Sequence, residues 1–282
     1  MTNIRIVPYT LRWRPGTVAA GAHVGTREGS GGAFRGHTSL LRHPDPRRID
    51  LRVTLQDPMG GIHVRQFSQR SAVDVIALVD LSGSMSFVDI VPRPLVVAEL
   101  CAVLAASAHK MGDRFGLIGC DAGVREDVFV APTRRRGLDL QVMQLLARQL
   151  PTSATAVGLV AGARRIPVKR SFVFLLSDFL MPLEAIDNVL SALWRHDVVP
   201  VVFGERNGLE RLPEWRLAQL RDLETGRRRL LLLRPSVMNA WRRLQEEHHE
   251  ALRNLFARHG RAPLRLFDRL DVEALASYLS AR

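Results

Sequence analysis

The chain has 282 residues, 46% hydrophobic and 24% charged, a globular composition with room for one large domain and additions, which excludes disorder on a large scale. A net charge of +12 invites a nucleic-acid reading. That reading weakens because Lys110 and Lys169 are the only lysines, and the arginines run from Arg5 to Arg282 without concentrating in one segment.

Residues 1–70 are rich in glycine, proline and arginine and form the first expected unit, with GTREGSGGAFRG read as a loop and IHVRQF as a strand of period two. The second unit, 71–206, alternates strand-like and helix-like stretches as a doubly wound sheet requires. Its first strand contains Val75-Ile76-Ala77-Leu78-Val79, an aliphatic run suited to burial on both faces. RPLVVAELCAVLAASAHKM predicts a buried helix. FGLIGC and VREDVFV are strands joined through Asp121-Ala122-Gly123. LDLQVMQLLARQL and TAVGLVAGARRI predict helices on either side of Pro151, followed by the strand SFVFLLSDF, the helix LEAIDNVLSALWRH and the strand DVVPVVFG.

The third unit, 207–282, holds WRLAQLRD and RRRLLLL, read as a hairpin with Gly226 in the positive-φ position of its turn. A long helix closed by Gly260, the strand APLRLFD and the helix DVEALASYLSAR follow. No apolar run approaches the roughly 20 residues of a membrane span, and MTNIRIVPYTLRWRPG lacks a signal-peptide core, so a soluble, cytoplasmic protein is expected. Cys101 and Cys120, both in apolar company, read as reduced core thiols.

Chemistry concentrates in VDLSGSM. Asp80, Ser82 and Ser84 emerge where a buried strand ends, the place at which open α/β sheets bind ligands. One carboxylate and two hydroxyls are hard donors suited to Mg²⁺, with Mn²⁺ or Ca²⁺ as alternatives. Thr155, ahead of a helix, and Asp178, at the end of SFVFLLSD, stand where they could add a hydroxyl and a direct or water-bridged carboxylate. Taken singly, each serine reads as a turn former and Asp178 as a cap; their joint order favours a site.

VDLSGSM, Thr155-x-x-Gly158 and LLSDF resemble the metal-ion-dependent adhesion site of von Willebrand factor A domains. The resemblance implies a three-layer, Rossmann-like α/β fold with N- and C-terminal β-rich additions. It also implies a divalent ion at Asp80, Ser82, Ser84, Thr155 and Asp178, its last coordination position filled by a partner's acidic side chain. HPDPRRIDLRVTLQDP and LRDLETGRRR resemble the flanking signatures of the bacterial family called domain of unknown function 58, with Leu51 in place of the usual tryptophan. Members are typically encoded beside MoxR-type AAA+ ATPases, which implies that partner and a client protein. The wording HPDPRRIDLR is most similar to the branch found in methanol-oxidation gene clusters, linked to maturation of a calcium-dependent methanol dehydrogenase. The implied role is a non-enzymatic adaptor.

Other chemistries fit less well. A metal-assisted hydrolase is the runner-up, but a serine nucleophile at Ser82 or Ser84 lacks the G-x-S-x-G elbow, and His196 reads only as a cation favoured at a helix C-terminus. No P-loop occurs. Glu246-Glu247-His248-His249-Glu250 lacks a helically spaced histidine pair and reads as a solvated face. Arg48 and Asp50 are expected to pair and dock the N-terminal segment onto the domain. Arg134-Arg135-Arg136 and Arg227-Arg228-Arg229 have no interleaved aromatics, so they suit solvent or an acidic protein better than nucleic acid.

Overall fold

The computed structural model describes residues 4–15, 21–28, 32–86, 91–149, 153, 155–204, 216–221, 228–267 and 269–281. Its centre is a six-stranded sheet. The strands β4 (Asp74–Asp80), β5 (Arg114–Cys120), β6 (Val124–Thr133), β7 (Phe172–Ser177), β8 (Asp197–Phe203) and β11 (Leu264–Leu266) lie in the order β11-β8-β7-β4-β5-β6. All neighbours are parallel except β5 and β6.

β4 shows why an unbroken aliphatic run forms this strand. Val75, Ala77 and Val79 enter one core while Ile76 and Leu78 enter the other, so both faces are apolar. The first core is covered by α2 (Arg93–Lys110), α3 (Leu138–Ala147) and α7 (Val272–Ser280), the second by α4 (Gly158–Arg165), α5 (Leu183–Ala192) and α6 (Pro235–Arg258). The central part therefore has a three-layer, Rossmann-like α/β arrangement. Cys101 and Cys120 are buried free thiols, and burial pushes the Cys120 thiol up to about 12. Among the described residues, no helix is long and apolar enough to cross a membrane.

The flanks depart from expectation in informative ways. Much of GTREGSGGAFRG is strand: β1 (His23–Glu28) and β2 (Gly32–Ser39) both pair with β3 (His63–Ser71) in the antiparallel order β1-β3-β2. The glycines read as loop signals, yet Gly25 sits where a Cβ would lie 2.4 Å from Ser71 Oγ, so it permits close packing of β1 on β3. In the third unit, β9 (Arg216–Arg221) and β10 (Arg228–Leu233) form the expected hairpin, while Gly226 and Arg227 lie outside the described residues. β11 joins the central sheet as its edge strand beside β8. Gly260, at φ 63°, follows α6 as its closing residue.

The described bonds of Arg48 and Asp50 are local to the N-terminal unit. Arg48 pairs with Asp45 at 2.9 Å. Asp50 caps α1 (Leu51–Gln56) and takes bonds from Arg65 (2.8 Å) and His37 (3.0 Å), all within the N-terminal unit. Docking falls instead to Asp113, ahead of β5, which accepts from Tyr9 Oη, from His23 Nε2 at 2.7 Å and from the Val73 N–H at 2.9 Å. Asp113 is fully buried, and Val7 and Tyr9 enter the first core beside it.

Candidate metal-binding site

β4 ends at Asp80, and the next residues turn immediately: Ser82 precedes a short 3-10 turn, Gly83–Ser86. The turn folds the two serine hydroxyls together, 3.2 Å apart, with Asp80, Ser82 and Ser84 all buried. Asp80 is fixed through both oxygens. Its Oδ1 accepts from the Ser82 N–H at 2.9 Å, and its Oδ2 accepts from Ser177 Oγ at 2.6 Å. Beside the cluster opens a cavity of about 20 Å³ lined in part by Asp80, Ser82, Met85 and Ser86, room for about one water-sized guest.

β7 supplies the second wall. Ser177 Oγ accepts from the Phe179 N–H at 2.9 Å, and Asp178 Oδ1 from the Leu180 N–H at 3.2 Å. Phe179 adopts φ 54°, a left-handed conformation costly for an aromatic residue. The strain is held from α6: His248 Nε2–H donates to the Phe179 carbonyl at 3.0 Å, and Phe256 meets the Phe179 ring edge-on. His248 is thus a fastener within the expected solvated helix face, whereas Glu246, Glu247 and Glu250 are exposed.

Asp178 does not face the cluster unopposed. Arg93, at the start of α2, reaches across so that its Nη1 donates to Asp178 Oδ2 at 3.0 Å and to the Ser84 carbonyl at 3.1 Å. Burial first, and then the Asp178 charge, push the Asp80 carboxyl up from 3.8 to about 6. Asp80 is thus a buried acid whose charge is opposed by too little positive charge, which is the electrostatic setting a cation would relieve.

Thr155 stands apart. α4 begins at Gly158, three residues later than the helical pattern suggests; Thr155 is exposed, and it uses its N–H on Ser153 Oγ at 3.4 Å. Gly158 fits the family-like spacing for a physical reason, since a Cβ there would lie 2.5 Å from the Gly123 carbonyl. Its N–H donates to the Asp121 carbonyl at 2.8 Å, pinning α4 to the turn after β5. The structure therefore gathers Asp80, Ser82 and Ser84, sets Asp178 close by in an ion pair, and leaves the Thr155 hydroxyl outside that hydrogen-bonded group.

The donor set fits a small hard cation: Asp80, Ser82 and Ser84 would hold it, and Asp178 would join directly or through water. Among the described residues no group of three or more His, Cys, Asp or Glu that could hold a metal ion occurs. Two contributors escaped the sequence reading. Arg93 carried a signal, because an arginine opening a buried helix opposes the helix dipole and needs a carboxylate. Ser177 carried none beyond its place before Asp178. His196 is corrected: its Nδ1 accepts from the Ser171 N–H at 3.2 Å, and burial together with nearby arginines lowers its pKa, so it is a neutral core group.

Comparison with known proteins places these residues in context. The profile of the family described as protein of unknown function DUF58 matches residues 44–251. An uncharacterized protein in the moxR 3′ region of Paracoccus denitrificans is 33% identical over 104 residues, covering 37% of this chain and 99% of that one. An uncharacterized protein, Rv1480, of Mycobacterium tuberculosis is 25% identical over 253 residues, 87% of this chain and 77% of its own length. Similar solved structures include the conserved hypothetical protein BatB from Bacteroides thetaiotaomicron, with 14% identity, coverage of 75% and 100%, and a TM-score of 0.46. The SpRpn10 VWA domain has 12% identity, coverage of 74% and 96%, and a TM-score of 0.40.

Proposed function

This chain belongs to the DUF58 family, and from that premise we propose that it is a non-catalytic interaction adaptor whose cluster of Asp80, Ser82 and Ser84 holds a divalent cation completed by a partner's carboxylate. The observation that carries the reading is the convergence of two buried hydroxyls, 3.2 Å apart, on an acid short of positive charge. Mg²⁺ suits so few hard donors, with Mn²⁺ and Ca²⁺ as alternatives. An ion held mainly by neutral oxygens stays electrophilic, which favours capture of an acidic side chain. Hydrolysis is the second reading; the Nε2–H of His248 is engaged by the Phe179 carbonyl, so that nitrogen is a donor and does not serve as the base.

The moxR-region relative makes a MoxR-type AAA+ ATPase the leading partner. A finer reading takes the client to be a methanol dehydrogenase during calcium insertion. Purified ATPase should bind the wild-type chain in Mg²⁺, and lose it in EDTA and with Asp80→Ala. Calorimetry should show Mg²⁺ or Mn²⁺ binding that Asp80→Ala removes; equal binding by both proteins would take Asp80 out of the site.

A further inference from the structure

The opposite strand end of the central sheet carries a second surface. α2 begins at Arg93 beside the oxygen cluster and ends at Lys110. At about 1.5 Å per residue, that separates the two ends by roughly 26 Å. The last turn of α2, the first turn of α3 and the N-terminal segment enclose a groove of about 510 Å³.

Its floor is aliphatic, formed by Ile4, Ala105, Ala106 and Leu138. Two further aliphatic side chains on it are open to solvent, Ile6 at 50% and Leu140 at 53%. The rim carries Lys110, Arg135 and Arg136, all exposed, against one acid, Asp139. Elsewhere the arginines find carboxylates: Arg114 bonds Asp74, Arg125 bonds Asp127, and Arg165 bonds Glu126. Among the described residues, the rim cations have no such partner. A like-charged rim around uncovered aliphatic surface gains from a guest that brings both anionic and apolar groups.

We propose that this groove docks an acidic segment of a partner protein that carries aliphatic side chains, independently of the cation site. Nucleic acid is the weaker guest, because no Phe, Tyr or Trp lines the groove and His109 is the single ring among its lining residues on which a base could stack, while the floor is aliphatic. An acidic segment answers both features, its carboxylates meeting Lys110, Arg135 and Arg136 while its apolar residues cover Ile6 and Leu140. The two surfaces then let one chain hold two partners at opposite strand ends of its sheet.

The test uses the full chain and a fluorescent peptide of roughly four helical turns, with leucines at i, i+3, i+4 and i+7 and glutamates elsewhere. Anisotropy should show saturable binding that is indifferent to EDTA and to Asp80→Ala. The pair Arg135→Glu and Arg136→Glu should weaken it about tenfold or more, and Ile6→Ser several-fold. These side chains are exposed, so unchanged thermal melts should accompany the loss. Absence of saturable binding overturns the proposal, as does equal binding of an all-glutamate peptide, which would show that the apolar floor takes no part. Tighter binding of a single-stranded oligonucleotide, lost in the same double variant, would hand the groove to nucleic acid. Dependence on EDTA would fold this surface into the cation site instead.

Discussion

Two buried aspartates sit at opposite strand ends of the same sheet, and they are treated in opposite ways. Asp113 takes donors from three separate places in the chain, Tyr9, His23 and the Val73 backbone, and thereby ties the N-terminal segment to the core. Asp80 receives two donors, one from the adjacent Ser82 and one from Ser177 on the neighbouring strand, but has Asp178 beside it, whose cation Arg93 makes its described bonds to Asp178 and the Ser84 carbonyl. Both are almost without exposed surface. The difference teaches that burial alone does not mark a site; what matters is whether the fold has finished satisfying the charge.

The sharpest break of this comparison is Asp113→Ala. It strands a phenol, an imidazole N–H and a backbone N–H in the interior, and should cost about 3–5 kcal/mol. Denaturant unfolding measures it. Divalent-ion affinity of the folded variant should stay within about twofold, since the two acids lie at opposite strand ends; a joint loss would mean that they are not independent.

Asp80→Asn should move stability the other way when no divalent ion is present. Its carboxyl binds a proton more tightly folded, near 6, than unfolded, near 3.8. The stability it contributes is full below about pH 4 and is lost as pH rises through 6. At pH 8 in EDTA the charge costs on the order of 3 kcal/mol, which the asparagine variant recovers. The gain should fade toward pH 4, and Mg²⁺ should raise the melting temperature of the wild type only. A less stable variant at pH 8 would show that the carboxylate is already satisfied.

The contrast between the two acids also explains what the sequence made legible. The β4 and β7 runs declared their strands because both of their faces are apolar, and Asp80, Ser82 and Ser84 were legible because they are nearly contiguous on one turn. Asp113 could not be read. Its partners stand 104, 90 and 40 residues away, and nothing local to Met111-Gly112-Asp113 announces them. β1 was hidden for a related reason: its glycine, Gly25, serves the close approach to β3, a tertiary demand that resembles loop composition. Arg93 was legible in principle, as a cation on the wrong end of a buried helix, but its target is 85 residues downstream.

A smaller effect sharpens the Asp113 side. Burial and then the Asp113 charge raise the Tyr9 phenol well above 10.0. The stability this gives is full below about pH 10 and is lost as pH rises from there toward the folded value. Tyr9→Phe should cost about 1–2 kcal/mol at neutral pH and flatten that alkaline limb of the stability profile. An unchanged limb would assign the alkaline loss to other groups.

The smallest change in stability should accompany the largest change in cation affinity. Ser84→Ala deletes one hydroxyl whose described bond is to Ser82 Oγ, while the Ser84 carbonyl that Arg93 uses remains in place. Unfolding free energy should shift by less than about 1 kcal/mol, because no charge is stranded and no cavity larger than an oxygen atom is left. Mg²⁺ affinity should nevertheless fall by about tenfold or more, because a site with so few protein donors has no spare oxygen to replace the one removed. Leu78→Ala, in the same strand, is the counterpart: it should cost roughly 2–5 kcal/mol through a core cavity and leave the donors in place. If Ser84→Ala instead unfolds the chain while Mg²⁺ affinity tracks stability, the oxygen cluster is a structural turn, and Asp80 is no different in kind from Asp113.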